Sequence, residues 1–209
     1  MKGAKGPSHT LKHMRITKIF TAEGSHVVRN CTSKRCSHSV HGHSYKIEVE
    51  FEATRLDNAQ MVMDFGLMKG SIKELIDSMD HCHIIADTES EEYINFFKEN
   101  NDRYIITPFN PSAEMLSVFI FRLVSDLLKD SVFANGEGGI EVRSVTVWET
   151  ATGRAKASFE DFNFLPDDFY KRLKFSEGVT SEWSDALTGW WFLGNKVHYP
   201  AVTQQIELR

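Results

Sequence analysis

The chain has 209 residues, enough for one sizeable domain or for a domain with an appendage. Hydrophobic residues make up 41% and charged residues 25%, the balance of an ordinary globular protein. The formal net charge of -5 argues against a general nucleic-acid-binding surface. The sequence contains no apolar run long enough to span a bilayer and no secretory signal, so we predict a cytoplasmic protein without a membrane partner. The three cysteines lack Cys-x-x-Cys spacing, and we expect them to be reduced.

The first predicted strand follows a segment without any hydrophobic pattern. Residues 1–13 show no periodicity, so we interpret them as a disordered leader. A strand is predicted from Met14 to Ala22, and the Gly-containing stretch Glu23-Gly24-Ser25 predicts a bulge or turn behind it. That break re-aims His26, which becomes a candidate metal ligand if this strand pairs with the next one.

The second strand carries the most informative motif of the chain. From Tyr45 to Glu52, apolar and polar residues alternate as in a sheet with one buried face. Extended backward, the alternation puts His41 and His43 on the apolar side, about 6.6 Å apart along the strand. A single His beside a strand is more typical of a surface or hydrogen-bonded residue. Two on one face, with Cys36 just upstream, indicate a metal pair, and zinc accepts such ligands.

Positive charge is concentrated in the loop before this motif, at Arg29, Lys34 and Arg35. Such a cluster is usually a solvated loop. Because it lies close to the predicted metal site, it could instead hold a phosphorylated substrate.

The next predicted element is a helix that ends in a titratable pair. Its apolar residues have helical spacing, at Leu67, Ile72, Leu75, Ile76 and Met79. Asp80 and His81 follow directly, where the helix dipole supports a protonated imidazole. The pair is either a helix cap or a catalytic carboxylate and imidazole.

Two more helical segments follow. Residues 90–100 predict a short acidic helix or loop in which Phe96 and Phe97 face inward. The motif Asn110-Pro111-Ser112-Ala113-Glu114 is typical of a helix start, with a polar cap, proline in the first turn and an early acidic residue. The helix behind it has a core-facing stripe: Leu116, Phe119, Ile120, Leu123, Val124, Leu127 and Leu128.

The last part of the predicted domain is a pair of strands. One runs from Ile140 to Trp148, and the other from Arg154 to Phe162. Glu149 keeps the parity of the buried valines of the first strand, so it points toward what they bury. A buried carboxylate must be paired or used, so Glu149 either grips the N–H donors of a heterocyclic ligand or bonds a local arginine.

The elements add up to two strands, two helices and two strands, which is an α+β class. We therefore predict a domain over residues 14–162. Residues 163–209 differ in character, since tryptophans and other aromatics crowd there, and we expect this extension to pack on the domain or on a neighbouring subunit.

Motifs in this order resemble the 6-pyruvoyltetrahydropterin synthase and 6-carboxytetrahydropterin synthase family. The matching pieces are Phe20 to His26, Cys36 with His41-Gly42-His43, Met61 to Phe65, Asp80-His81, Pro111 to Glu114, and Val147 to Thr150. The resemblance implies a tunnelling fold, a four-stranded antiparallel sheet in ββααββ order with two helices on one face. It also implies that the sheets close into a barrel as trimers form, and that two trimers stack as a homohexamer with sites between subunits.

The resemblance also assigns roles to the candidate residues. His26, His41 and His43 are similar to the three zinc ligands of the family. Proton transfer falls to Cys36, Asp80 and His81. The substrate, 7,8-dihydroneopterin triphosphate, is held at the pterin ring by Glu149, with Ser112 as a second substrate-binding residue.

Spacing within the motif distinguishes branches of the family. Four residues separate Cys36 from His41, and the third is Ser39, where a dual-function folate-linked branch has glutamate. We expect the carboxy-forming lyase of queuosine and 7-deazaguanine biosynthesis. The alternatives are the pyruvoyl-forming synthase and a non-catalytic pterin-binding protein.

Overall fold

The computed structural model describes residues 13–201, so nearly all of the predicted leader and the end of the extension lie outside the described residues. The strands are β1 Met14–His26, β2 His41–Arg55, β3 Cys82–Ala86, β4 Tyr104–Thr107, β5 Ser131–Val132, β6 Gly138–Trp148, β7 Arg154–Ala157, β8 Lys174–Phe175 and β9 Val197–His198. The helices are α1 Lys34–Ser37, α2 Ser71–Asp77, α3 Glu91–Asn100, α4 Ala113–Lys129, α5 Phe169–Arg172, α6 Glu177–Thr180 and α7 Asp185–Leu193.

The main sheet has seven strands in the order β7-β6-β2-β1-β3-β4-β8. Neighbours from β7 to β1 are antiparallel, whereas β1–β3 and β3–β4 are parallel. The α+β class is thus confirmed. The predicted sheet of four antiparallel strands is wrong, because the sheet has seven strands and includes parallel pairs. β3 and β4 are short and mostly buried, so they lack the alternation by which a strand is recognised.

β1 runs through the stretch where a break was predicted. Its antiparallel register with β2 is continuous from Met14 opposite Ala53 to His26 opposite His41, so the expected bulge is wrong. A Cβ on Gly24 would lie 3.3 Å from the Tyr45 ring. This glycine therefore permits close packing rather than a turn.

The buried face of the sheet holds the core. β2 alternates as predicted, with Tyr45, Ile47, Val49 and Phe51 buried and the residues between them more exposed. α4 packs over β6 and β7 and presents the predicted stripe to the core. Ser112 caps α4 by accepting a hydrogen bond from the Met115 N–H.

Two element boundaries and the exposure of one side chain differ from the predictions. The helix before Asp80 is divided, because Leu67–Lys69 form a 3-10 turn and α2 begins only after Gly70. In α3, Phe97 is buried but Phe96 is exposed, because adjacent residues point about 100° apart and this helix buries only a narrow face. β7 ends at Ala157, and residues 159–164 form a 3-10 helix instead of continuing the strand.

The aromatic extension packs on the rest of the chain. The Trp183 indole N–H donates to Ser78 Oγ at 2.8 Å, and the Trp190 N–H donates to Asp130 at 3.1 Å. Arg172 makes a two-pronged ion pair with Asp87. These contacts tie the extension to α2, α4 and the end of β3.

Candidate metal centre and neighbouring polar groups

Strand pairing gathers three histidines at the end of β1 and the start of β2. His26 lies directly opposite His41, and Gly24 lies opposite His43. The three side chains each offer one nitrogen, and these nitrogens lie within 4.8 Å of one another. His26 is fully buried, while the other two rings are partly exposed. Within the described residues, these three histidines are the group of three or more His, Cys, Asp or Glu side chains that could hold a metal ion.

Hydrogen bonds fix the protons on two of these rings. His26 Nδ1 lies 2.6 Å from the Pro111 carbonyl oxygen, and His41 Nδ1 lies 3.0 Å from that of Ser39. A carbonyl only accepts, so both Nδ1 atoms carry the proton and both Nε2 atoms present lone pairs. Those two Nε2 atoms face each other at 3.2 Å, which is repulsive without a cation between them.

The third histidine supports the same reading. His43 Nε2 is buried and has no hydrogen-bond partner among the described residues. Burial is the main cause that lowers the pKa of His26, to about 4, so this imidazole is neutral at neutral pH. Neutral rings oriented by carbonyls are the usual state of metal-binding histidines, and the residues therefore fit a metal ion.

Glu149 reaches the same cluster from the end of β6. Its Oε1 lies 3.5 Å from His26 Nε2 and 3.7 Å from His43 Nε2. The predicted parity with Val145 and Val147 accounts for this placement. In the described structure the titratable side chains within 4 Å of its carboxylate are these histidines rather than a local arginine.

Cys36 lies on the loop that joins β1 to β2. It belongs to the single-turn helix α1, and its carbonyl accepts a hydrogen bond from the Val28 N–H at 2.9 Å. Val28 follows His26 by two residues, so this bond holds the cysteine turn against the end of β1. The thiol is unpaired and partly exposed.

The pair Asp80 and His81 attaches to β1 at another point. Asp80 accepts from the Glu23 N–H at 2.7 Å and from His81 Nδ1 at 2.8 Å. Although burial opposes it, these hydrogen bonds keep the pKa of Asp80 below its ordinary value. His81 has a positive φ of 55°, and 75% of its side chain is exposed.

This pair is separate from the histidine cluster within one chain. It lines a cavity of about 410 Å³ with Thr21, Lys73, Asp77, Arg103 and Glu182, whereas the three clustered histidines do not. Thr21 is exposed and its neighbour Ala22 is buried, so the cavity opens on the side of β1 away from the core. One chain thus unites the histidines with Glu149 but not with Asp80 and His81.

Other candidates have mainly structural contacts. Ser112 Oγ accepts the capping bond of α4, so its own O–H proton remains available to a ligand. Arg29, one of the residues considered for phosphate binding, is bound to both oxygens of Glu89. Sequence reasoning missed the Pro111 carbonyl and the Tyr45 hydroxyl, 3.2 Å from His26 Nδ1. Strand parity could have placed Tyr45 beside His43; no sequence signal marks the carbonyl.

The fold and the site together define an α+β protein with a three-histidine centre able to bind a metal ion. Of the helices in the described residues, none combines the length and apolarity required to cross a bilayer. A sequence profile described as 6-pyruvoyl tetrahydropterin synthase matches residues 15–160. The chain therefore belongs to the 6-pyruvoyl tetrahydropterin synthase family of enzymes.

Named relatives also match most of the chain. A protein of Helicobacter pylori strain J99 named 6-carboxy-5,6,7,8-tetrahydropterin synthase is 40% identical over 178 residues, covering 82% of this chain and 88% of that protein. A protein of Aquifex aeolicus with the same name is 31% identical over 159 residues, covering 68% of this chain and 95% of that protein.

Solved structures show the same fold. An uncharacterized protein from Wolinella succinogenes matches with a TM-score of 0.58 at 20% identity, covering 71% of this chain and 99% of that chain. The 6-pyruvoyl tetrahydropterin synthase of Plasmodium falciparum matches with a TM-score of 0.51 at 15% identity, covering 69% and 96%. At these identities the likeness concerns the fold alone.

Proposed function

We propose that the protein is a zinc-dependent 6-carboxy-5,6,7,8-tetrahydropterin synthase. It converts 7,8-dihydroneopterin triphosphate to 6-carboxytetrahydropterin, acetaldehyde and triphosphate, a carbon–carbon lyase step toward queuosine and other 7-deazaguanines. The observation that carries the proposal is the cluster of His26, His41 and His43, whose ring nitrogens lie within 4.8 Å of one another, with the Nε2 lone pairs of His26 and His41 facing each other. The names of the Helicobacter and Aquifex relatives support the carboxy-forming branch.

The histidines would hold zinc with one coordination position left for substrate oxygen. When bound, zinc acts as a Lewis acid that makes neighbouring C–H and O–H protons easier to remove. Pro111 and Ser39 supply the carbonyls that keep the ligand rings oriented. The cluster needs no rearrangement of these rings, because their tautomers are already fixed.

Proton transfer falls to the cysteine and to the aspartate–histidine pair. Cys36, as a thiolate, is the general base on the substrate side chain. His81 donates or relays a proton, and Asp80 orients it through the 2.8 Å bond to Nδ1.

Substrate positioning is the role of Glu149, with Ser112 as a second contact. The Glu149 carboxylate accepts hydrogen bonds from the pterin ring, and its place beside the histidines brings the ring's side chain to the metal. Asp80 and His81 lie apart from the cluster in one chain, which supports a homohexamer with sites shared between subunits. The three unpaired cysteines fit a reducing, cytoplasmic location.

The pyruvoyl-forming reaction is the second candidate, because the matching profile carries that name. The test incubates zinc-loaded protein with 7,8-dihydroneopterin triphosphate and identifies the products by mass. Acetaldehyde with 6-carboxytetrahydropterin is the expected result. Triphosphate release without acetaldehyde would support the pyruvoyl-forming enzyme instead.

A matched variant separates catalysis from binding alone. Cys36→Ala should abolish turnover while zinc content stays that of the wild type, since the thiol is not among the clustered ligands. A wild-type protein that binds the pterin but yields no product would be a non-catalytic pterin-binding protein, and the proposed activity would be wrong.

A further inference from the structure

The loop between β1 and β2 is held by a side chain to which the proposed reaction gives no role. The Arg29 guanidinium donates from Nε to Glu89 Oε1 at 2.6 Å and from Nη2 to Oε2 at 3.0 Å. Its remaining Nη1 donates to the Ser37 carbonyl at 2.8 Å. One planar group thus joins the residue next to Cys36 to the segment after β3.

The surroundings of this ion pair restrict its movement. The Glu89 side chain is only 10% exposed, and the guanidinium lies over the Tyr93 ring at 5.3 Å from its centroid. The hydrogen bond to Glu89 is the main cause that raises the pKa of Arg29, so the guanidinium stays charged. A carboxylate this buried is retained only where its partner satisfies it fully, as a two-pronged arginine does.

The backbone of Arg29 is held just as firmly. The Asn110 side chain accepts from the Arg29 N–H at 3.0 Å and donates to its carbonyl at 2.7 Å. The next residue, Pro111, supplies the carbonyl that fixes the His26 tautomer. Arg29 therefore contacts both the turn that carries Cys36 and the segment that orients a metal ligand.

We propose that Arg29 is a positioning residue that sets Cys36 relative to the histidine cluster. The inference rests on the proposed function in one respect, that Cys36 acts as the base of the reaction. Ser37 is buried, and its carbonyl is held by Arg29, so the adjacent cysteine cannot shift without breaking that bond. Lysine retains the charge but cannot bind both Glu89 oxygens and the Ser37 carbonyl at once.

The chain offers a matched control on the same segment. Asp87 lies two residues before Glu89. Arg172 binds it with the same two-pronged geometry, at 2.7 and 2.8 Å. Arg172 belongs to the extension, and among the described residues its side chain pairs with Asp87 and Asp168 rather than with the cysteine turn. Arg172→Lys therefore damages an equivalent ion pair without touching the proposed positioning contact.

The experiment compares zinc-loaded wild type, Arg29→Lys, Glu89→Gln and Arg172→Lys. Amide hydrogen exchange over residues 33–38 should accelerate roughly fivefold or more in Arg29→Lys and in Glu89→Gln, and it should stay unchanged in Arg172→Lys. kcat should fall about tenfold in Arg29→Lys with KM within about twofold, because the base is misplaced while binding persists. Zinc content should match the wild type throughout.

The exchange and kinetic results distinguish failure of the positioning role from failure of the proposed function. Unchanged exchange over 33–38 in Arg29→Lys, or equal acceleration in Arg172→Lys, overturns the positioning role. Accelerated exchange with undiminished kcat also overturns it, since the turn would then be free without cost to catalysis. A wild type without turnover refutes the proposed function, and the exchange comparison still decides whether Arg29 holds the cysteine turn.

Discussion

Two groups of titratable side chains attach to β1, and they differ in how completely one chain builds them. The cluster of His26, His41 and His43 lies at the strand end, where His26 is fully buried and ring protons are fixed by carbonyls. In the pair of Asp80 and His81, Asp80 accepts a hydrogen bond from the Glu23 N–H, and three quarters of the His81 side chain is exposed. The histidine cluster can bind a metal ion within one chain, whereas the Asp80–His81 pair faces outward.

The difference follows from what holds each group. Neighbouring strands in fixed register determine the cluster, so its geometry comes with the sheet. The outward pair depends on a loop conformation with a positive φ at His81 and on long-range hydrogen bonds. We expect metal binding and catalysis to be separable by mutation along this division.

The largest effect on metal binding should come from removing a ligand. His43→Ala should weaken zinc binding by more than about 100-fold, since loss of even an outer-shell partner costs 10–100-fold. The measurement is a zinc competition titration with a chelator. The control is His13→Ala, because His13 pairs with Glu52 away from the cluster. Wild-type zinc affinity in His43→Ala would contradict the three-histidine centre.

Removing the outward imidazole should separate activity from metal. His81→Ala should lower kcat by about 10²- to 10⁴-fold, the usual contribution of a general acid or base, with zinc content unchanged. Steady-state kinetics and metal analysis on one preparation test this. Loss of zinc in the variant would show that the two groups are not independent.

A buried histidine outside both groups extends the comparison to stability. His83 is 3% exposed, bonded to Ser25 and Tyr93 and stacked on Phe97, and burial lowers its pKa from 6.5 to about 4. As the pH falls, His83 is protonated in the unfolded chain before it is protonated in the folded protein. The folded state therefore keeps its full stability above pH 6.5 and loses stability as the pH falls toward 4. The loss attributable to His83 is about 3 kcal/mol at pH 4.

Urea unfolding of the metal-free protein at pH 7 and near pH 4 measures this loss. His83→Gln keeps a hydrogen-bonding side chain but removes the titration, so its stability should fall less between the two pH values. An identical fall in wild type and variant would assign the acid sensitivity to other groups.

The smallest effect concerns the anchoring of the outward pair. Trp183 donates to Ser78, two residues before Asp80, and both side chains are buried. Trp183→Phe should reduce the free energy of unfolding by roughly 1–2 kcal/mol, because one buried hydrogen bond and some packing are lost. Phe192→Leu serves as the control, since Phe192 is 60% exposed. Equal destabilisation by both substitutions would argue against a specific anchor.

Prediction from sequence succeeded where structure repeats with a short period. The alternation of β2 placed His41 and His43 on the core side, and the helical stripe of α4 is buried as expected. It failed for β3 and β4, which are too short and too buried to alternate, and for the glycine that permits packing rather than a bulge.

The sequence by itself determined the candidate ligands, because side-chain direction along a strand follows from a period of two residues. Only the tertiary structure decided the proton positions on His26, the contacts of Arg29 and the separation of Asp80 and His81 from the cluster. Those features depend on groups as far as 85 residues apart in the chain, so no local pattern specifies them. They arise when packing brings distant carbonyls and charges together.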